Sequence, residues 1–208
     1  MARDTQSIVK MSRREGYALH PKAHKALVKR STPPGQAANS RGPRGGAKVS
    51  QYARQLREKQ KVKRLYGLLE KQFSNLMKEA NRKEGQSGTV LLQFLEQRAD
   101  NVVYRAGFAT SRRASRQLMT HGHFMLNGTR VDIPSIRLKP GDTLTVRPHS
   151  QQTEYFKKLD EVSPAPPEVP GWIKVDRKKV QVTVTGLPTR EDAELDISEQ
   201  LIVEYYSR

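Results

Sequence analysis

The 208-residue chain contains no cysteine and is poor in aromatic and acidic residues. Without cysteine it has no disulfide, no thiol nucleophile and no thiolate ligand for zinc. No apolar run approaches the roughly 20 residues that span a bilayer, and the polar start MARDTQSIVK lacks a signal-peptide core. These absences predict a cytoplasmic protein without a thiolate metal site or a membrane partner, and we expect no cofactor.

Hydrophobic residues make up only 35% of the chain, so we expect compact domains together with sequence that becomes ordered on a partner. The 38 basic and 21 acidic residues give a net charge of +17. Residues 1–66 carry 17 basic and 3 acidic residues, and residues 98–149 carry 9 and 3, whereas residues 67–97 are neutral and residues 150–208 are acidic. Two separated basic blocks indicate a polyanion partner, most simply nucleic acid. A solvated charged surface is the alternative.

The first 48 residues show no sustained hydrophobic periodicity. Residues 32–46, TPPGQAANSRGPRGG, are rich in proline, glycine and small polar side chains. We therefore predict an extended basic arm with little core of its own.

Helical periodicity begins at Ser50 and is broken at Gly85–Gly88. In the first part of this run, QLREKQKVKRLYG, basic residues surround most of the helix and predict phosphate contacts on several sides. Apolar residues from Leu91 to Ala106 predict a single second helix, which ends at Gly107.

The pattern changes again after Gly107. Thr110 or Ser111 can cap a helix that runs to about Thr120, and the Asn127-Gly128 pair predicts a tight hairpin. Further strands are predicted over 143–147, in WIKVD and in KKVQVTVTG, with Trp172 in the core. DISEQLIVEYYS predicts an amphipathic C-terminal helix.

The helix after Ser111 carries a cluster of polar donors. At roughly 100° per residue, Arg112, Arg113, Arg116 and Gln117 fall within an arc of about 140°. We predict that this arc faces solvent or a partner and that the opposite side, with Ala114 and Leu118, faces the preceding helix. Arginine donates two parallel hydrogen bonds to phosphate.

Other side chains in this part of the chain leave alternatives open. The tight hairpin would bring His121, His123 and Asn127 alongside the arc, within reach of sugar or base edges. The two histidines also suggest a metal pair, but no third ligand lies nearby in the sequence. Tyr52 and Tyr66 either stack on bases or pack within the protein.

The stretch from Arg98 to Val146 resembles the S-four RNA-binding module, a small helical unit with a hairpin. The segments SRREG, QLREKQKVKRLYG, WIKVD and PTREDAELDISEQLIVEYYSR, in this order, are similar to segments of the bacterial S-four family of small-subunit ribosomal proteins. Together they cover nearly the whole chain. Some members of the family carry an N-terminal cysteine cluster that binds zinc, and this chain resembles the cysteine-free form.

The resemblance implies an α+β protein with an inserted module. We expect a basic arm over 1–48, a mainly helical domain over 49–95 and 185–208 closed by the C-terminal helix, and the RNA-binding module with a β extension over 96–184. It implies a primary assembly role on the five-prime domain of small-subunit rRNA, with messenger RNA and neighbouring small-subunit proteins as further partners. It also implies a position at the messenger entry region and an influence on translational accuracy. Arg41, Arg44 and Lys48 are the candidates for contact with the messenger.

The candidate RNA-binding residues share a positive charge, an aromatic ring or a polar amide in the two basic blocks. They are Arg3, Lys10, Arg13, Arg14, Arg44, Tyr52, Arg54, Arg57, Lys59, Lys61, Lys63, Arg64, Arg112, Arg113, Arg116, Gln117, His121, His123 and Asn127.

Two other classes of function compete with a structural ribosomal protein. An RNA-modifying enzyme would use the same module as an accessory, but it needs a catalytic domain for which the chain leaves little room. A free RNA-binding factor would carry the module without staying on the ribosome. We predict the ribosome-bound, non-enzymatic protein, on cytoplasmic or organellar ribosomes.

Overall fold

The computed structural model describes residues 4–35 and 49–207. Within these ranges the helices are α1 (Ile8–Glu15), α2 (Pro21–Lys29), α3 (Gln51–Leu65), α4 (Glu70–Ala80), α5 (Ser87–Glu96), α6 (Ala99–Arg105), α7 (Arg112–Thr120), α8 (Pro148–Gln151), α9 (Glu154–Lys157), α10 (Leu159–Val162) and α11 (Glu199–Tyr206). The strands are β1 (Phe124–Leu126), β2 (Thr129–Val131), β3 (Thr143–Val146), β4 (Ile173–Asp176) and β5 (Gln181–Val184). This mixture of helices and one small sheet confirms the predicted α+β class.

The chain divides into two compact units. The first comprises Met1–Gly88 with Asp196–Arg208, and the second comprises Thr89–Leu195. The sequence predicts divisions after residues 48, 95 and 184, and that assignment of domains stays a prediction.

The prediction of an extended arm is wrong for residues 8–29, which form α1 and α2. The left-handed backbone of Gly16 ends α1, and the His20 side chain accepts a hydrogen bond from the Lys22 backbone N–H at the start of α2. Each helix buries few apolar side chains, chiefly Met11 and Ala23. Such a short apolar face gives little periodicity in sequence, which explains the error.

The C-terminal helix α11 packs along α3 in the first unit, as the family resemblance implied. Ile202 is fully buried, and Gln55 Nε2 donates a hydrogen bond of 2.7 Å to Glu204 Oε2. The rings of Tyr52 and Tyr205 lie 5.9 Å apart. The first helical run thus closes into a bundle with a segment that is distant in sequence.

The predicted second helix, from Leu91 to Ala106, is in fact two helices, α5 and α6. Arg98 has an extended backbone, with ψ at 136°. The flanking backbone bonds elsewhere: Ala99 N–H donates to the Ile136 carbonyl at 2.8 Å, and the Gln97 carbonyl accepts from Leu138 N–H at 2.9 Å. A tertiary contact with the segment after the hairpin therefore interrupts a run whose apolar spacing was continuous.

The second unit contains an antiparallel five-stranded sheet in the order β2-β1-β3-β5-β4. Phe124 pairs with Val131 across the first hairpin, whose turn residues Asn127 and Gly128 have φ of 49° and 83°, as the Asn-Gly pair predicted. One face of the sheet contributes to a core shared with α6 and α7, which includes Phe108, Met119 and Trp172. Within the described ranges, no helix is long and apolar enough to cross a membrane.

Candidate RNA interface

Helix α7 lies between the α6–α7 loop and the first hairpin. The Ser111 side chain caps it by accepting a 3.3 Å hydrogen bond from the Ala114 backbone N–H. The side chains of Ser115 and Met119 form its buried side, and Arg113 and Gln117 are exposed. The predicted bounds of the helix are confirmed, but the predicted inward pair Ala114 and Leu118 is only half-buried.

Two arginines of the predicted arc are held by the protein itself. Arg112 Nε donates to Asn101 Oδ1 at 2.9 Å, and its Nη2 donates to Glu194 Oε1 at 3.0 Å. Arg116 Nε donates to Asp100 Oδ2 at 2.7 Å. The prediction that the whole arc faces solvent or a partner is therefore wrong for Arg112 and Arg116, because the carboxylates of Glu194 and Asp100 pair with them.

A buried ionic network fixes these partners. The side chain of Glu96 is fully buried and accepts two hydrogen bonds from Arg105, at 2.9 and 3.0 Å, and one of 2.7 Å from Asn101. Asp100 also accepts two bonds from Arg98. Buried charges need this degree of pairing to offset their lost hydration. The network positions α7, and α7 presents Arg113 and Gln117 outward.

The turn between α7 and β1 gathers basic side chains that have no carboxylate partner in the described ranges. We call His121, His123, Arg130 and Arg147 the Gly122 cluster. Arg147 Nη1 donates to the Gly122 carbonyl at 3.2 Å, and the rings of His121 and His123 lie 6.0 Å apart. Burial, together with the nearby positive charge of His121 and Arg147, lowers the pKa of His123 below its ordinary value.

Asn127 has a local role in the hairpin. Its Oδ1 accepts a 2.9 Å hydrogen bond from Thr143 N–H, and its Nδ2 donates at 2.9 Å to Asp142 Oδ1. The predicted contact of this side chain with sugar or base remains a prediction, but the amide already has one partner for each of its two atoms.

Several cations of α3 pair with carboxylates of the protein, whereas the sequence predicts phosphate contacts on several sides of this helix. Arg57 and Arg64 both pair with Glu15, whose side chain is fully buried. Lys59 and Lys63 pair with Glu70 at 2.7 and 3.0 Å. These pairs orient four of the seven candidate side chains of α3 toward carboxylates of the same unit.

The remaining candidates on α3 vary in exposure. Lys61 donates to Glu58 and to the Asp196 carbonyl. Arg54 is exposed, and within the described part of the chain it has no ion-pair partner. Tyr52 is 47% exposed beside Tyr205, whereas Tyr66 is buried, so the packing alternative holds for Tyr66.

The pKa values of the two carboxyl groups that pair with α3 cations, Glu15 and Glu70, are shifted in opposite directions. Burial raises the pKa of Glu15 above 4.5, in spite of the positive charges of Arg57 and Arg64. Burial alone would also raise the pKa of Glu70, but hydrogen bonds from Lys59, Lys63 and Tyr206 outweigh it and lower that pKa. The more exposed carboxyl is thus the better stabilised anion.

The first helix presents Lys10 and Arg14 to solvent, whereas Arg13 is half-buried. Arg13 donates to the backbone carbonyls of Thr32 and Pro33 at 2.9 and 3.3 Å. The candidates Arg3, Arg41, Arg44 and Lys48 lie outside the described residues. Over the described ranges, no group of three or more acidic or histidine side chains is arranged to hold a metal ion.

Sequence reasoning missed Arg130 and Arg147 as candidates. Both lie outside the arc of α7, and the residues directly before and after each arginine are uncharged. The signal that could have found them is the hairpin: pairing of Met125 with Arg130 brings β2 back beside the start of β1. A charge pattern along the sequence does not reveal clusters that strand pairing forms.

A capped helix, a tight hairpin and a small antiparallel sheet make the second unit a module of the S4-domain class. Comparison with known families agrees. Residues 3–96 match the model described as Ribosomal protein S4/S9 N-terminal domain, and residues 97–144 match the S4 domain.

The chain is similar over its whole length to proteins named small ribosomal subunit protein uS4. It is 47% identical over 214 residues to that of Clostridioides difficile (strain 630) and 48% identical over 209 residues to that of Chlorobaculum tepidum. In both cases the whole of each chain is covered. The chain belongs to the uS4 family. Its relatives are ribosomal proteins and not enzymes, as the sequence predicted for this chain.

Proposed function

We propose that this protein is a structural constituent of the small ribosomal subunit and that it binds rRNA early in assembly. The observation that carries the proposal is the full-length similarity to uS4 proteins. Exposed cations that have no carboxylate partner among residues 4–35 and 49–207 supply the chemistry; they are Lys10 and Arg54 in the first unit and Arg113 in the second. Neutralising phosphate with such cations is the main source of affinity for nucleic acid.

Specificity would come from the shape of folded RNA. Side chains that are fixed before binding lose little freedom when they meet a phosphate. The Ser111 cap and the Asp100 and Glu194 pairs hold α7 in one orientation, so Arg113 is presented from a rigid element. RNA helices are read largely through their backbone and their 2′-hydroxyls, which suits such a fixed array of donors.

The finer part of the proposal concerns the place of binding. We infer that the target is the five-prime domain of small-subunit rRNA and that the protein nucleates assembly there. Neighbouring small-subunit proteins at the messenger entry side and messenger RNA would be its other partners, with an effect on translational accuracy. The resemblance of the sequence to its family supports these points.

Hydroxyl-radical footprinting on full-length small-subunit rRNA tests the assembly role. We expect protection confined to the five-prime domain and persisting in moderate salt. Roughly 6–10 phosphate contacts would weaken binding about 10³–10⁵-fold between 50 and 200 mM salt if electrostatics alone held the complex. Diffuse protection that disappears over this salt range would contradict a primary assembly protein. Sedimentation with small subunits through a salt wash separates a structural protein from a loosely bound factor.

Replacement of Arg41, Arg44 and Lys48 by alanine tests the messenger role. We expect slower translation through a messenger hairpin with normal subunit assembly. The matched control replaces Lys22, Lys25 and Lys29, three exposed cations on or beside the surface of α2, by alanine. Equal slowing by both triple variants, or loss of assembly, would contradict a specific role at the messenger entry region.

A further inference from the structure

Two arginines from separate elements meet at Gly122. A Cβ added to this glycine would lie 2.8 Å from both Nε and Nη2 of Arg130, so the guanidinium group of that side chain lies against the Gly122 backbone. Arg147 Nη1 donates to the Gly122 carbonyl. Arg130 belongs to β2 and Arg147 follows β3, so the sheet and the end of α7 together bring the two guanidinium groups to one turn.

Neither arginine has a carboxylate partner within residues 4–35 and 49–207. This distinguishes them from Arg112 and Arg116 of the same unit, which pair with Glu194 and Asp100. Like charges gathered in one place repel each other unless an anion lies close by. The cluster therefore lacks the counter-charge that the protein supplies to its other arginines.

The protein holds this cluster in a defined shape. Arg147 N–H donates at 2.9 Å to the His123 carbonyl, and His123 Nδ1 lies 3.1 Å from the hydroxyl of the buried Ser150. The ring of Phe156 contacts the His123 ring at 5.9 Å. Gly122 has a φ of 69°, a conformation that favours glycine, and its missing side chain leaves room for Arg130.

We propose that the Gly122 cluster is a binding site for a backbone phosphate of RNA, with Arg130 and Arg147 donating to the phosphate oxygens. The planar fork of each guanidinium matches phosphate geometry, and the pair supplies two permanent charges. The site rests on the proposed function, because that function names RNA as the polyanion. It extends that function to residues that neither the α7 arc nor the family resemblance identified.

The test is the salt dependence of binding to a transcript of the five-prime domain of small-subunit rRNA. The variants are Arg130→Ala, Arg147→Ala and the double replacement. Lys178→Ala is the matched control, because it removes one exposed positive charge from the same unit. Each arginine variant is expected to reduce the slope of log Kobs against log salt by about 0.7–0.9 and to weaken binding in 0.1 M salt about five- to tenfold.

Three outcomes separate the proposals. An unchanged slope in both arginine variants, with wild-type binding intact, overturns the phosphate site and leaves the proposed function standing. An equal loss in Lys178→Ala also overturns it, because general charge would then suffice. Absence of salt-resistant binding by the wild-type protein overturns both.

Lysine replacements keep the proposal testable if Arg147→Ala does not fold. Arg130→Lys and Arg147→Lys retain the charge but lose the fork. They are expected to keep the wild-type salt slope and to lose affinity. Wild-type affinity in both lysine variants would overturn the role of the guanidinium groups.

Discussion

Helix α3 and the Gly122 cluster are both rich in cations, yet the chain treats them differently. On α3, Glu15 and Glu70 together hold four basic side chains. In the Gly122 cluster, the described ranges offer no carboxylate to Arg130 or Arg147. A high density of positive charge in the sequence therefore does not identify phosphate ligands. The position of the carboxylates in the fold decides which cations remain available.

Helix α7 shows both situations within nine residues. Arg112 and Arg116 pair with carboxylates, whereas Arg113 is exposed between them. A basic residue in an RNA-binding module can thus either hold the fold together through an ion pair or remain available to bind phosphate.

The largest expected effect is on the free energy of unfolding, through the buried ion pairs that hold α7 in place. Asp100→Ala removes the carboxylate that pairs with Arg98 and Arg116, and it takes the Asp100 ion pair away from the buried Arg98 guanidinium. We expect the free energy of unfolding to fall by about 3–5 kcal/mol. Denaturant unfolding measures this. The matched control is Asp160→Ala, which breaks an ion pair with Arg177 at an exposed carboxylate and should cost at most about 1 kcal/mol. Similar losses in both variants would contradict a special role for the buried network.

The second prediction compares two cations of α3. Lys59 is 3% exposed, pairs with Glu70, and has its Nζ 4.5 Å from the centre of the Tyr205 ring. Lys59→Met should lower the free energy of unfolding by about 1–2 kcal/mol, through loss of the ion pair and the cation–π contact, and leave the salt slope of rRNA binding unchanged. Arg54→Ala should leave the free energy of unfolding nearly unchanged and reduce the salt slope of rRNA binding. A reduced slope in Lys59→Met would show that this lysine contacts phosphate after all.

The third prediction uses two glycines of the same hairpin region. Gly122 and Gly128 have φ of 69° and 83°, so alanine at either position should cost about 1–2 kcal/mol of unfolding free energy. Only at Gly122 does the added Cβ meet Arg130, since no atom lies within 4 Å of the corresponding position at Gly128. Gly122→Ala should therefore weaken rRNA binding more than Gly128→Ala at equal net charge. Equal rRNA affinities of the two alanine variants would contradict a role for the Arg130 position beside Gly122 in RNA binding.

The smallest expected effect is on the pH dependence of the free energy of unfolding, to which Glu70 and Glu15 contribute with opposite signs. The pKa of Glu70 is lowered, so its stabilising contribution is present above its ordinary value of 4.5 and is lost as the pH falls through the folded-state pKa. The pKa of Glu15 is raised, so its contribution is present below 4.5 and is lost as the pH rises through the folded-state pKa.

Relative to wild type, Glu70→Gln should thus lose unfolding free energy as the pH rises, whereas Glu15→Gln should gain it. For the half-exposed Glu70 the change should stay below about 1 kcal/mol. Denaturant unfolding between about pH 3 and pH 7 measures both, because the window for Glu70 lies below 4.5 and that for Glu15 lies above it. The same sign in the two variants would contradict the burial argument for Glu15.

Local signals in the sequence predicted the parts of the fold that depend on few residues. The Ser111 cap and the Asn127-Gly128 turn are such signals, and both are confirmed. The break at Arg98 was not predictable in the same way, because it depends on backbone hydrogen bonds with Ile136 and Leu138. Helices α1 and α2 were missed because their buried faces are too short to produce a clear period.

The candidate site was predictable in its location but not in its chemistry. Helical spacing put Arg112 and Arg116 on one arc, but it could not show that Glu194 and Asp100 reach them. Strand pairing, which brings Arg130 to Gly122, likewise joins residues that no sequence window treats as neighbours. Composition indicated a nucleic-acid partner, and the fold decides which cations can meet it.

Arginine modification by phenylglyoxal, read by mass spectrometry with and without bound rRNA, tests the central claim most directly because one experiment reports every arginine. Slower modification on rRNA binding is predicted for Arg54, Arg113, Arg130 and Arg147. The carboxylate-paired Arg112 and Arg116 should react at the same rate in the free protein and in the complex. Protection of Arg112 and Arg116 by rRNA, with no protection of Arg130 and Arg147, would contradict the claim that unpaired cations are the phosphate ligands.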